Sequence, residues 1–155
     1  MGATIRPTSA GDRLGWEGLW AGYLAFYEEE LPPTVTERTW ERLLAPDGAL
    51  HGHVAVDDAS GEVVGFSHHL FHPSTWSMAP YCYLEDLFVE PAARGLGAGR
   101  ALLEAVRAAA VAEGAEKLYW QTHASNAVAR RLYDDVADHA GFLVYEASLP
   151  RPADE

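Results

Sequence analysis

Three glycines framed by two arginines, Arg94-Gly95-Leu96-Gly97-Ala98-Gly99-Arg100, form the segment with the clearest chemistry in this 155-residue chain. Glycine lets backbone N–H groups approach an anion closely, a helix start adds a positive dipole end, and arginine adds charge. The chemistry is phosphate binding. Two familiar nucleotide-binding patterns fail on spacing. A Walker loop needs Gly-Lys-Ser/Thr where the chain has Gly99-Arg100-Ala101, and a dinucleotide fingerprint needs a third glycine where Arg100 stands.

A loop of this kind has to sit between a strand and a helix, and its neighbours supply both. Residues 81–89 read as an aromatic, apolar and therefore central strand. After the loop, Leu102, Leu103, Val106 and Ala110 recur near helical spacing, with Gly114 placed as the C-terminal cap. Upstream, residues 4–7 can start an edge strand. Ser9 or Asp12 can cap a helix carrying Leu14, Trp16, Leu19, Trp20, Tyr23, Leu24, Phe26 and Tyr27. Glu28-Glu29-Glu30 and Pro32-Pro33 break it, and a second helix runs from Thr36 to Leu44, stopping near Pro46-Asp47-Gly48. Residues 53–56 and 62–71 read as an antiparallel strand pair, followed by a loop between Pro73 and Pro80. Downstream, 117–122 reads as a strand parallel to 81–89 across a right-handed crossover, 126–138 as a helix with Ser125 available to cap it, and 141–145 as a last strand.

Bulk properties bound the function. The length fits one domain, and no apolar run reaches the roughly 20 residues needed to cross a bilayer. The N-terminus lacks the basic start and apolar stretch of a secretory signal, and Cys82, the sole cysteine, allows no internal disulfide; both point to a soluble, cytoplasmic protein. A net charge of −12 argues against nucleic-acid and anionic-membrane partners and is compatible with a cationic one.

Taken with its flanks, the loop resembles the acetyl-CoA motif of the GCN5-related N-acetyltransferase (GNAT) superfamily, Arg/Gln-x-x-Gly-x-Gly/Ala, at Arg94, Gly97 and Gly99. Asn126, Leu132-Tyr133 and Gly141-Phe142 are similar to its second motif. Within the superfamily, Tyr83-Leu84-Glu85-Asp86-Leu87-Phe88-Val89 is similar to the spermidine/spermine acetyltransferases, and Tyr119-Trp120 with Leu132-Tyr133-Asp134 to yeast histone/polyamine acetyltransferase relatives and their bacterial cousins. The resemblance implies an α/β single-domain fold over residues 1–149 with a flexible tail at 150–155. It further implies a mixed, mostly antiparallel sheet whose central parallel strand pair splays apart, flanked by helices.

It also implies roles. The backbone of residues 95–99, including Leu96 and Ala98, would take the pyrophosphate of acetyl-CoA, with Arg94 and Arg100 adding charge. The backbone of Leu87, Phe88 and Val89 would pair with the pantetheine arm as an added strand does. Asn126 either bonds that arm or caps its helix. Tyr133, seven residues on and on the same helix face, is the general acid for the departing thiolate. Glu85 is the general base that frees the amine; Asp86, on the opposite strand face unless a bulge intervenes, is the weaker candidate and a substrate-binding one. Direct attack in a ternary complex needs no acyl-enzyme, and no base is placed beside Cys82 to activate it.

In this fold the acceptor wall draws on the first two helices and the loop after the third strand (residues 62–71): Tyr27, Glu28 and Trp76 foremost, with Trp20, Tyr23, Glu29, Glu30 and His72. Aromatic rings beside carboxylates suit a cationic amine, although Trp16, Trp20, Tyr23 and Tyr27 also sit at the spacing of a helix core face. His68, His69 and His72 lack a metal-binding spacing, so no metal is expected. The function expected is acetyl transfer to a small primary amine such as a polyamine, in a chain that can dimerise. The alternatives are acetylation of a protein lysine or N-terminus, or a non-catalytic acyl-CoA-binding module.

Overall fold

The structure, a computed structural model, describes residues 2–150. Its regular elements are β1 (Ala3–Pro7), α1 (Arg13–Phe26), α2 (Pro33–Leu44), β2 (Leu50–Asp57), β3 (Val63–His72), β4 (Tyr81–Val89), α3 (Ala98–Ala112), β5 (Lys117–Tyr119) and α4 (Ala127–Val136). The strands form one mixed sheet in the order β1-β2-β3-β4-β5, antiparallel except for β4 and β5. This is the α/β architecture expected from the sequence.

Local chemistry sets the helix boundaries. The chain enters α1 through a capping box in which Asp12 accepts from the Ser9 backbone N–H at 2.8 Å, while Arg6 grips both Asp12 oxygens at 2.8 Å. The guanidinium contact is the main reason the buried Asp12 carboxyl is held below the usual range. Helix α2 begins at Pro33, three residues before the expected Thr36, because proline needs no N–H partner and has a fixed φ at a helix start. At the other end of α3, Gly114 adopts a left-handed φ of 77° and the Ala115 N–H returns to the Ala110 carbonyl, closing the helix as expected.

Two apolar layers cover the sheet. A Cβ at Gly65 would lie 3.3 Å from Leu102 of α3, whereas the next residue, Phe66, packs against Trp20 of α1, so these two neighbours on β3 face opposite layers. On the α1/α2 side the core is Trp16, Leu19, Trp20, Trp40, Leu43 and Phe66. On the α3 side it is Ala55, Val64, Ala93, Ala98 and Leu102. The helical stripe of tryptophans is thus core, with Trp16 at 0% exposure and its ring 4.9 Å from that of Trp40.

The chain divides into two compact units after Gln121. In the second, Asn126 and not Ser125 caps α4, its side-chain oxygen accepting from the Ala129 N–H at 3.3 Å. The strand expected over residues 141–145 does not form: the segment carries no ladder, and Phe142, Leu143, Val144 and Tyr145 are exposed. An apolar alternating run becomes a strand only where a neighbouring edge accepts its backbone groups. Of the expected C-terminal tail, residues 151–155 lie outside the described residues.

Candidate active site

A short 3-10 turn, Pro91–Ala93, carries the chain from β4 into the glycine loop. Gly95 and Gly97 both take left-handed φ values, 98° and 73°, and Gly97 is the N-cap of α3. A Cβ at either would meet nothing within 4 Å, so glycine is required there for backbone conformation and the space beside the loop stays open. Leu96 and Ala98 pack their side chains into the α3-side core, which anchors the loop and leaves only their backbone groups to the solvent side. An exposed turn of glycine-rich backbone ending in a helix N-terminus, with Arg94 and Arg100 at its two ends, fits a pyrophosphate.

Strand β4 leads to that loop and contains an irregularity at its centre. His68 of β3 pairs with Asp86 and His69 with Leu84, so Glu85 is an extra residue with no partner opposite it. On its other edge β4 pairs with β5 only at Tyr81, Cys82 and Tyr83. Beyond Tyr83, residues 84–89 have no strand on that side among the described residues, which is the expected splay. The side chains of Leu87 and Val89 pack on the α3-side core and Phe88 packs against Tyr23, so on the splayed side this stretch offers its backbone groups.

The bulge named as a possibility is present, and Glu85 is the residue outside the regular alternation. Asp86 faces the α1 layer, the side that Phe88 takes two residues on. There its Oδ1 accepts from the Tyr23 hydroxyl at 2.6 Å and its Oδ2 from His68 Nδ1 at 2.9 Å. His68 Nε2 in turn accepts from the Trp16 indole N–H at 3.0 Å. Glu85 itself is pushed above the ordinary carboxylate range, chiefly by burial and secondly by the neighbouring Asp86 charge. Tyr23 is pushed up by burial and by Asp86, and Tyr83 reaches about 12 through burial and Glu85.

The remaining sequence candidates fall in different places. Tyr27 meets Tyr23 edge-on at 5.0 Å, and burial and Asp86 raise its hydroxyl. Glu28 takes a left-handed φ of 55° just past the end of α1, a conformation that costs a non-glycine residue about 1 kcal/mol. Trp76 stands 85% exposed in the β3–β4 loop. His72 donates from Nδ1 to the Pro73 carbonyl and accepts from the Tyr119 hydroxyl at 2.7 Å. His68 and His69 serve opposite layers: His68 joins Trp16, while His69 stacks with His51 and His53. Burial raises the Cys82 thiol to about 11, leaving little thiolate at neutral pH. In the second unit, Tyr133 lies on α4 two turns after the capping Asn126, whose side-chain N–H also reaches Thr122 Oγ1 at 3.4 Å.

The relay from Trp16 through His68 and Asp86 to Tyr23 was not read from the sequence. Its only signals were the seven-residue spacing of Trp16 and Tyr23, two turns along one helix face, and an apolar strand holding a histidine.

A mixed sheet with a parting parallel pair, a glycine loop feeding a helix and carboxylates on the strand before it define an acyl-CoA-dependent acetyltransferase fold. The chain belongs to the acetyltransferase (GNAT) family, whose profile matches residues 16–137. Among its relatives is the D-amino-acid N-acetyltransferase HPA3 of Saccharomyces cerevisiae, 35% identical over 142 residues, 92% of this chain and 88% of that protein. YhfO of Bacillus subtilis, an uncharacterized N-acetyltransferase, is 36% identical over 99 residues, covering 63% and 66% of the two chains. In fold the chain resembles AAC(6')-Iy, solved in complex with the bisubstrate analog CoA-S-monomethyl-acetylneamine, with a TM-score of 0.82 and 19% identity over 97% of this chain and 100% of that one. It also resembles a ribosomal-protein-alanine N-acetyltransferase from Brucella melitensis, with a TM-score of 0.79 and 22% identity over 96% and 100% of the two chains. Among the described residues no helix is long and apolar enough to cross a membrane.

Proposed function

We propose that the chain transfers an acetyl group from acetyl-CoA to the primary amine of a small cationic molecule, with a polyamine as the leading class, and that residues 1–149 make up the acetyltransferase domain. The observation that carries the acceptor class is the pair of carboxylates at the β4 bulge, Glu85 and Asp86, backed by the Tyr23, Tyr27 and Phe88 rings. Negative charge beside aromatic faces favours an ammonium. Bound acetyl-CoA would supply the activated thioester. Glu85 removes the proton that keeps the ammonium from attacking, the backbone N–H groups of residues 87–88 polarise the carbonyl, and Tyr133 returns a proton to the departing thiolate. Asn126 takes the capping role in this reading.

A second reading takes the amino group of a free amino acid as the acceptor. It is supported by the name of the yeast relative, 35% identical over 92% of this chain.

The deciding experiment is thiol release from acetyl-CoA with polyamines, D- and L-amino acids, aminoglycosides and basic peptides as acceptors. Highest kcat/KM with polyamines supports the first reading, preference for amino acids replaces it with the second, and amine-independent release with every acceptor overturns both. The phosphate assignment has its own test. Replacing Arg94 and Arg100 together with alanine should weaken acetyl-CoA binding by at least about tenfold, as expected for losing charge-assisted hydrogen bonds to phosphate, and unchanged affinity by calorimetry would remove them from the site.

A further inference from the structure

His68 is 1% exposed, stacked on Phe66 at 4.7 Å, and hydrogen-bonded through both ring nitrogens. An indole N–H can only donate, so Nε2 must accept from Trp16 and the ring proton sits on Nδ1, facing Asp86 Oδ2. Tyr23 secures the other oxygen, Oδ1. Each carboxylate oxygen is therefore held by a donor from a different element, β3 on one side and α1 on the other. Trp16 and Tyr23 stand two turns apart on one face of α1, so a single helix fixes the relay at both ends. Two of the carboxylate's four lone-pair sites stay uncommitted, and its side chain keeps 14% exposure. Sinking a carboxylate this far is costly where an apolar residue would fill the layer. The bulge places this carboxylate directly after Glu85.

We propose that His68 is a positioning residue for acetyl transfer: locked by Trp16 in the Nδ1–H tautomer, it works with Tyr23 to fix the Asp86 carboxylate beside Glu85, where the two receive the acceptor's ammonium. The role rests on the amine acetyltransferase reading above. Asp86 then contributes orientation and charge to acceptor binding, and Glu85 handles the proton.

Steady-state kinetics of the full chain with its best amine test this role. His68→Leu should raise the KM for the amine by about tenfold or more while the KM for acetyl-CoA stays within about twofold, because only the acceptor side loses its fixed charge. His68→Asn, whose amide nitrogen can stand where Nδ1 stood, should recover most of that loss. Equal impairment of both variants, or parallel changes in both KM values, would mean that His68 only fills space and would overturn the role. If His68→Leu does not fold, Tyr23→Phe decides: it removes the second donor to Asp86, and an unchanged amine KM overturns the proposal. Nitrogen-15 NMR supplies a readout independent of turnover, and finding the His68 proton on Nε2 overturns it as well. A wild-type chain with no amine-dependent thiol release overturns the amine reading itself, whereas active wild type with indifferent variants overturns only the role of His68.

Discussion

Replacing Glu85 with glutamine is expected to lower kcat by about 10²–10⁴ and to flatten the acid limb of the pH–rate profile, the range typical for loss of a general base. The sign follows from the site. A base works only when deprotonated, and burial together with the Asp86 charge raises Glu85 above its ordinary value of 4.5. Wild-type activity should therefore fall as the pH drops through a value higher than a free carboxylate's. In Glu85→Gln no carboxyl titrates at that position, so the limb disappears along with most of the rate. Asp86→Asn should move the wild-type limb to lower pH, since it removes one of the two influences that lift Glu85. The check is kcat/KM from pH 5 to 9 with acetyl-CoA saturating. A Glu85→Gln profile that overlays the wild type would transfer the base role elsewhere.

Acid should weaken the fold through a different residue. His69 is 2% exposed, its Nδ1 has no hydrogen-bond partner among the described residues, and its ring is stacked on His51 at 5.1 Å and His53 at 5.5 Å. Burial first, then the neighbouring imidazoles, lower its pKa from 6.5 to about 4. The folded value is thus depressed below the unfolded one. Above pH 6.5 both states are neutral and His69 contributes no pH dependence. As the pH falls below 6.5 the unfolded chain takes up a proton that the folded chain refuses, and stability drops until about pH 4, where the folded ring also protonates. The loss over that window is roughly 3 kcal/mol at 1.36 kcal/mol per unit. His53, also depressed by burial and by His51, loses stability in the same direction. Urea unfolding of wild type and His69→Leu between pH 8 and 4 isolates the contribution: the stability difference between them should change by that amount, and a difference independent of pH would show that His69 is not responsible.

How much of this was legible in the sequence differs from element to element, for physical reasons. The place of the glycine loop between a strand and a helix is legible because glycine marks such turns, and Gly95 and Gly97 take left-handed φ values there. The cap at Gly114 was read for the same reason. Strand β4 and helix α3 were found with their bounds nearly right because their periodicity is strong. Residues 117–122 read as a strand from their place after a crossover helix and 141–145 as a last strand, yet strand is a pairing property: the ladder ends at Tyr119, and 141–145 carry none. The position of the bulge has no signature in the sequence, since it adds one residue without any change in composition, and the relay through His68 joins residues 16, 23, 68 and 86, which only the tertiary fold brings together. The sequence named Asp86 and Tyr23 as acceptor-wall residues but could not say that they touch.

The three-residue pairing between β4 and β5 leaves the edge of residues 84–89 that faces away from β3 with no strand beside it among the described residues. Sheet edges of this kind are normally blunted, because another extended chain can add to them. On the proposed reading, acetyl-CoA bound along this edge would stand in for the missing strand, so that by mass action its concentration would raise the stability of the fold as well as supply the acetyl group.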